Sequence, residues 1–198
     1  MYEMIKLNYD YKELEPYYSN DMFYYHYFVL YKGYTDSLNK IVDEFNKSRL
    51  NNDYTNIQSL EKRFSFISDA YILHSLFFEN LIPMPNKTLL SEKLVNHIKK
   101  DFNTYDAFID QLNNASLNIE GPGWVIFGYN KYIDKLLIIQ VENHKDLLLS
   151  NFIPLLVIDM WEHSYYLDYK TDKKEYLRNL FYILDFNIVN KRYEELNL

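Results

Sequence analysis

Asp159 and His163 stand four residues apart in PLLVIDMWEHSYYLDY, residues 154–169. They follow the apolar run 155–158, which reads as a buried strand. An ionised carboxylate at the end of such a strand needs a partner, because an unpaired buried charge is costly. A metal ion is one such partner, and carboxylate with imidazole suits iron, manganese or zinc. A structural Asp–His hydrogen bond at a strand end is the other reading, and these residues alone leave both open. A metal centre needs further ligands, so the remaining histidines, His26, His74, His97 and His144, decide how far the idea goes.

Two of them fall on the apolar faces of expected helices. Over 22–48, Phe23, His26, Leu30, Tyr34, Leu38, Ile41 and Phe45 recur at threes and fours and share one face. Asn20 and Asp21 offer a cap for this helix, and Gly33 suggests a kink or the close approach of another element. Over 57–81, His74 lies among Leu60, Phe64, Ile67, Ala70, Tyr71, Phe77, Phe78 and Leu81. Two facing helices, each with an inward histidine, make half a site. Joined by Asp159 and His163, they give three imidazoles and one carboxylate. That set leaves room for solvent and an open position, as iron, manganese or catalytic zinc would use. Trp161, Tyr34 and His144 would surround it and orient a bound solvent. His97 faces a polar stretch and reads as a surface residue. A lone inward histidine is commonly a satisfied core residue, so periodicity leaves the centre and the core reading open.

The rest of the chain must hold these residues. Pro83-Met84-Pro85-Asn86 breaks the helical pattern. Further helices are expected over 91–102 and 105–118, the second capped by Asn103-Thr104. The period then changes: strands are expected over 124–128, 135–141 and 155–159, and two short helices over 174–184 and 187–196. The fold class is α+β: an N-terminal antiparallel helical hairpin domain over 1–84, then an α/β domain with a three-stranded antiparallel sheet over 85–198. The chain has 198 residues and a net charge of −7, which argues against a nucleic-acid partner. With no cysteine, disulfides, thiolate catalysis and iron–sulfur clusters are excluded. No secretory signal and no apolar run of membrane-spanning length is visible, so a soluble cytoplasmic protein without a membrane partner is expected.

These motifs resemble the iron/manganese superoxide dismutase family nearly end to end. Leu7, Tyr9, Tyr11 and Leu14-Glu15-Pro16 are similar to its N-terminal signature. His26-Tyr27 with Lys32-Gly33-Tyr34 and Leu38-Asn39 matches the first helix, and His74-Ser75-Leu76-Phe77-Phe78 the second. Gly121-Pro122-Gly123-Trp124 resembles a Gly-Ser-Gly-Trp motif. The run 159–166, DMWEHSYY, carries the most specific signature, Asp-x-Trp-Glu-His-Ala-Tyr-Tyr.

The resemblance implies one iron or manganese ion per subunit, held by His26, His74, Asp159 and His163. It implies superoxide as substrate, disproportionated to dioxygen and hydrogen peroxide in a ping-pong redox cycle. Tyr34 would support proton delivery at the substrate funnel, with His144 and Trp161 beside the metal and Trp124 walling the cavity. It implies a homodimer or higher oligomer, in which Glu162 accepts a hydrogen bond from His163 of a second subunit. There are departures. The glutamine that the family usually places beside the metal's bound solvent is absent: its helix position is Ala70 and its sheet position is His144. That histidine resembles iron-using or metal-flexible members. Val29, Leu30 and Tyr31 stand where the family has Lys-His-His, so Tyr166 loses its expected partner across the dimer and the funnel loses a positive charge. Leu73 replaces an asparagine. An active dismutase is the leading expectation. A metal-retaining structural or assembly protein with weak or no activity is the alternative.

Overall fold

The computed structural model describes residues 1–84, 88–145 and 151–198. Pro85 and Asn86 of the expected helix breaker lie outside them. The first helix, α1, spans residues 20–51 in three abutting stretches: Asn20–Phe23, Tyr24–Tyr31 and Lys32–Asn51. Its cap is Ser19, one residue before the expected pair: Ser19 is extended and its side chain accepts from the Met22 amide. The middle stretch is wound as a π-helix, with the Lys32 amide donating to the Tyr27 carbonyl five residues back. His26 and Tyr31, five apart, are both buried there, while Leu30 is only half-buried. This winding is the irregularity of α1. Gly33 is not: a Cβ there would meet nothing within 4 Å.

Helix α2, Ile57–Glu79, packs on α1 to complete the hairpin. At the far end Ile41, Phe45 and Leu60 form a small cluster with Ile57, Phe64 and Ile67. At the near end Phe23, Tyr27, Tyr31, Leu73, Phe77 and Phe78 join the main core. Helices α3, Glu92–Phe102, and α4, Tyr105–Leu117, follow, capped by the side chains of Ser91 and Thr104.

The sheet is antiparallel with order β2-β1-β3, from β1 Gly123–Asn130, β2 Lys135–Glu142 and β3 Phe152–Asp159. Strand β1 is central and buried at every residue, whereas the edge strand β2 is partly exposed along its length. The register sets Trp124 opposite both Val141 and Asp159. Gly123, just before it, allows close packing: a Cβ would lie 2.6 Å from the Val141 carbonyl oxygen and 2.6 Å from Ile119 Cδ1. A register shift between Phe127 and Gly128 leaves Leu155 of β3 without a counterpart on β1, a bulge in β3.

Strand β3 ends at Asp159, and α5, Glu162–Tyr169, begins three residues on. Sequence periodicity does not reveal α5, a short helix that buries only Ser164 and Tyr165. Helices α6, Lys173–Leu180, and α7, Phe186–Glu194, close the chain. Arg192 on α7 ties the two halves together. Its guanidinium donates to Asn80 Oδ1 at 3.1 Å, the Leu155 carbonyl at 2.9 Å and Glu79 Oε2 at 2.7 Å. Among the described residues, no helix is long and apolar enough to cross a membrane.

Candidate metal centre

Four elements converge on one point. The π-helical part of α1 brings His26, α2 brings His74, the end of β3 brings Asp159, and the first turn of α5 brings His163. One ligand atom from each lies within 4.8 Å of all the others. His26, His74 and Asp159 are fully buried, and the His163 side chain is 18% exposed. Asp159 Oδ2 is 3.2 Å from His26 Nε2 and 3.2 Å from His163 Nε2.

The surroundings fix which imidazole nitrogen faces inward. His74 Nδ1 is 2.7 Å from the Ala70 carbonyl, which only accepts, so Nδ1 carries the proton and Nε2 presents a lone pair. His26 Nδ1 is 2.7 Å from the Tyr18 hydroxyl. The Nε2 atoms of His26 and His74 are buried with no hydrogen-bond partner. Buried orphan nitrogens are uncommon; two aimed at one carboxylate suit a metal ion. Asp159 Oδ1 accepts from the Trp161 amide at 2.8 Å, closing the strand-to-helix turn. The Asp159 carbonyl accepts from the hydroxyls of Ser164 and Tyr176, each at 2.9 Å.

The charge states agree with this arrangement. Burial lowers the pKa of His26 to about 4 and that of His74 well below its usual value. Burial works against ionised Asp159, but the imidazoles of His163 and His26 beside it outweigh burial and hold the carboxyl below its ordinary range. Neutral imidazoles and an ionised carboxylate are the forms that ligate metal. The donor set, three imidazole nitrogens and one carboxylate, fits iron or manganese.

Tyr34, His144, Trp124 and Trp161 cap this cluster. Trp124 Nε1 donates to His144 Nδ1 at 3.1 Å, and His144 Nε2 is 3.3 Å from the Tyr34 hydroxyl. Trp161 stacks on His144, ring centroids 4.5 Å apart and planes 10° apart. Burial lowers the His144 pKa to about 4 and raises that of Tyr34. Glu162 and Tyr166 lie elsewhere. They line a cleft of about 560 Å³ on the outer side of α5, with Gly121, Pro122, His163 and Lys170. His97 is not part of the cluster and is not the surface residue expected. It is packed with Nδ1 2.9 Å from the Tyr193 hydroxyl and Nε2 3.2 Å from Asp101, because α3 packs inward beside α7 and β2. Sequence reasoning missed Tyr18 and Tyr176. Tyr18 lies outside any apolar period, and Tyr176 falls on the buried face of the expected helix over 174–184, where its period marks it as core and not as a neighbour of the site.

The comparisons agree with the geometry. Residues 1–82 match the alpha-hairpin domain of the iron/manganese superoxide dismutases, and residues 90–192 match their C-terminal domain. A relative named superoxide dismutase (Fe), from Methanothermobacter thermautotrophicus, is 32% identical over 98% of this chain and 96% of its own. One named superoxide dismutase (Mn/Fe), from Aeropyrum pernix, is 30% identical over 98% of this chain and 91% of its own. One named superoxide dismutase (Mn), mitochondrial, from Glossina morsitans morsitans, is 31% identical over 96% of this chain and 88% of its own. With both domains matched in order around this cluster, the chain belongs to the iron/manganese superoxide dismutase family.

Proposed function

We propose that this protein is a superoxide dismutase that uses one iron or manganese ion held by Nε2 of His26, His74 and His163 and by the Asp159 carboxylate. The observation that carries the reading is the pair of buried, unpartnered Nε2 atoms beside Asp159. A bound iron or manganese ion would supply a one-electron couple through which two superoxide ions and two protons become dioxygen, from the superoxide that is oxidised, and hydrogen peroxide, from the one that is reduced.

The chain's own residues order the approach and the protons. Trp124 can only donate, so His144 Nδ1 accepts and the neutral ring keeps its proton on Nε2. That Nε2–H donates to the Tyr34 oxygen, which leaves the Tyr34 O–H directed away from His144 and available to an oxygen species in the cavity. Burial keeps Tyr34 protonated at neutral pH, so it serves as a donor. Trp161 and Trp124 exclude water from the inner cavity. His144 in place of a glutamine amide favours iron or metal-flexible use, since its ring sets a different donor geometry over the site.

The chain is divided here into a hairpin domain over 1–84 and an α/β domain over 85–198. Its working form is a cytoplasmic homodimer. The exposed Glu162 and the 47%-exposed Tyr166 border the open cleft beside His163, where a second copy would let Glu162 accept from the facing histidine. The test is to reconstitute the protein separately with iron and with manganese, quantify bound metal and assay superoxide disproportionation. Stoichiometric metal and activity in at least one form are expected. Stoichiometric metal with no activity in either would leave the metal-retaining structural protein in its place.

A further inference from the structure

Tyr18 is fully buried, and its hydroxyl lies 2.7 Å from His26 Nδ1. The residues on either side are clamped. The Tyr17 carbonyl accepts from the Tyr169 hydroxyl, and the Ser19 amide and hydroxyl donate to the two oxygens of Asp168 at 2.9 and 2.6 Å. Asp168 and Tyr169 belong to α5, the helix that begins with Glu162 and His163. The strap 17–19 therefore carries Tyr18 to His26 from the element that positions another member of the cluster. A phenyl ring would fill the same space, so packing alone does not call for a hydroxyl there.

A neutral imidazole has one N–H, and the group facing it decides which nitrogen carries it. A Tyr hydroxyl donates or accepts, so the Tyr18–His26 bond is compatible with either tautomer. Only one presents a lone pair on Nε2: Nδ1–H donating to the Tyr18 oxygen. Such outer partners fix the plane of a ligating imidazole and raise its basicity.

We propose that Tyr18 is a positioning residue for His26, its oxygen accepting Nδ1–H so that the Nε2 lone pair is held toward Asp159, His74 and His163. This rests on the reading of His26 as a metal ligand. The Tyr18 hydroxyl thereby sets how tightly the cluster holds a metal and how well it supports the more oxidised state.

The experiment measures manganese(II) affinity, by competition with a chelator of known affinity, for wild type, Tyr18→Phe and His26→Ala. It also measures the midpoint potential of the iron-loaded wild type and Tyr18→Phe. The phenylalanine variant is expected to bind about 10–100-fold more weakly, the usual cost of removing an outer-shell partner. Its potential is expected to rise, because a ring without an acceptor on Nδ1 donates less to ferric iron. Wild-type affinity and potential in Tyr18→Phe, with binding lost in His26→Ala, would overturn the role of Tyr18 and leave the ligand set standing. Undiminished binding in His26→Ala would overturn the ligand assignment itself. If Tyr18→Phe fails to fold by circular dichroism, 3-fluorotyrosine placed at position 18 keeps the shape and weakens the oxygen as acceptor. A smaller loss of affinity is then expected, and no loss overturns the proposal.

Discussion

Trp124 and His144 illustrate how one donor-only group decides the chemistry of its neighbour. The indole N–H at 3.1 Å fixes His144 Nδ1 as acceptor, and so leaves Nε2–H for Tyr34 at 3.3 Å. Trp124→Phe removes that constraint, and the ring is then able to turn its proton away from Tyr34. Activity at saturating superoxide is expected to fall about tenfold, a typical outer-shell effect, with metal content unchanged. Metal loss in parallel with activity would instead assign Trp124 to packing. Leu30 is a second residue-level departure. It is half-buried on the helix of His26, and in the dimer proposed above a histidine there would offer Tyr166 of the second copy a hydrogen bond. Leu30→His is expected to raise activity or tighten dimerisation, read by the assay and by sedimentation equilibrium. No change in either would overturn the reading of Leu30 as a lost partner for Tyr166.

The elements that carry the cluster are held by contacts between them as much as by their own propensities. Arg192 is the clearest case. Its side chain is 12% exposed and bridges the end of α2, through Glu79 and Asn80, to the Leu155 carbonyl of β3. It thereby joins the helix of His74 to the strand of Asp159. Arg192→Leu leaves the Leu155 carbonyl and the Asn80 amide oxygen short of a donor, and is expected to cost about 3 kcal/mol in urea unfolding. A loss under about 1 kcal/mol would show the bridge to be incidental. The same distinction explains what sequence made legible. The apolar threes and fours of α1 and α2 placed His26 and His74 inward, and the run before Asp159 marked β3, because burial writes a period into a sequence. The π-winding of Tyr24–Tyr31 left no such mark: it shifts the inward residue from Leu30 to Tyr31, a matter of packing around His26 and not of propensity. Helix α5 was hidden because its eight residues bury little, and it is set by the Asp159 turn and by Ser164 donating to the Asp159 carbonyl. Tyr18 was hidden for a third reason. Its role depends on a strap fixed by residues about 150 positions further along the chain, Asp168 and Tyr169.

At the scale of the whole molecule, the cluster makes the fold sensitive to acid when no metal is bound. His26 and His144 are buried, and burial lowers each pKa to about 4 from an ordinary value of 6.5. Between those values the unfolded chain binds protons that the folded chain does not. Stability therefore rises with pH across this window and is lost as pH falls through it. Each such imidazole costs about 1.4 kcal/mol for every pH unit below 6.5, until its folded-state pKa is reached. His74 adds to the effect in the same direction, its pKa being lowered by burial and by neighbouring His26. Asp159 acts lower down: its carboxyl is held below the ordinary value of 3.8, so its contribution is intact above that value and is lost only in stronger acid. The metal-free protein is thus expected to show a thermal midpoint that drops steadily from pH 7 to pH 4. Saturating manganese should raise the midpoint at pH 7 and lose much of that gain by pH 4, since protons compete for the same nitrogens. Calorimetric scans of both forms at half-unit intervals of pH check this. A flat midpoint in the metal-free protein would mean that His26 and His144 are open to protonation in the fold, and that these two imidazoles are not held neutral by their burial.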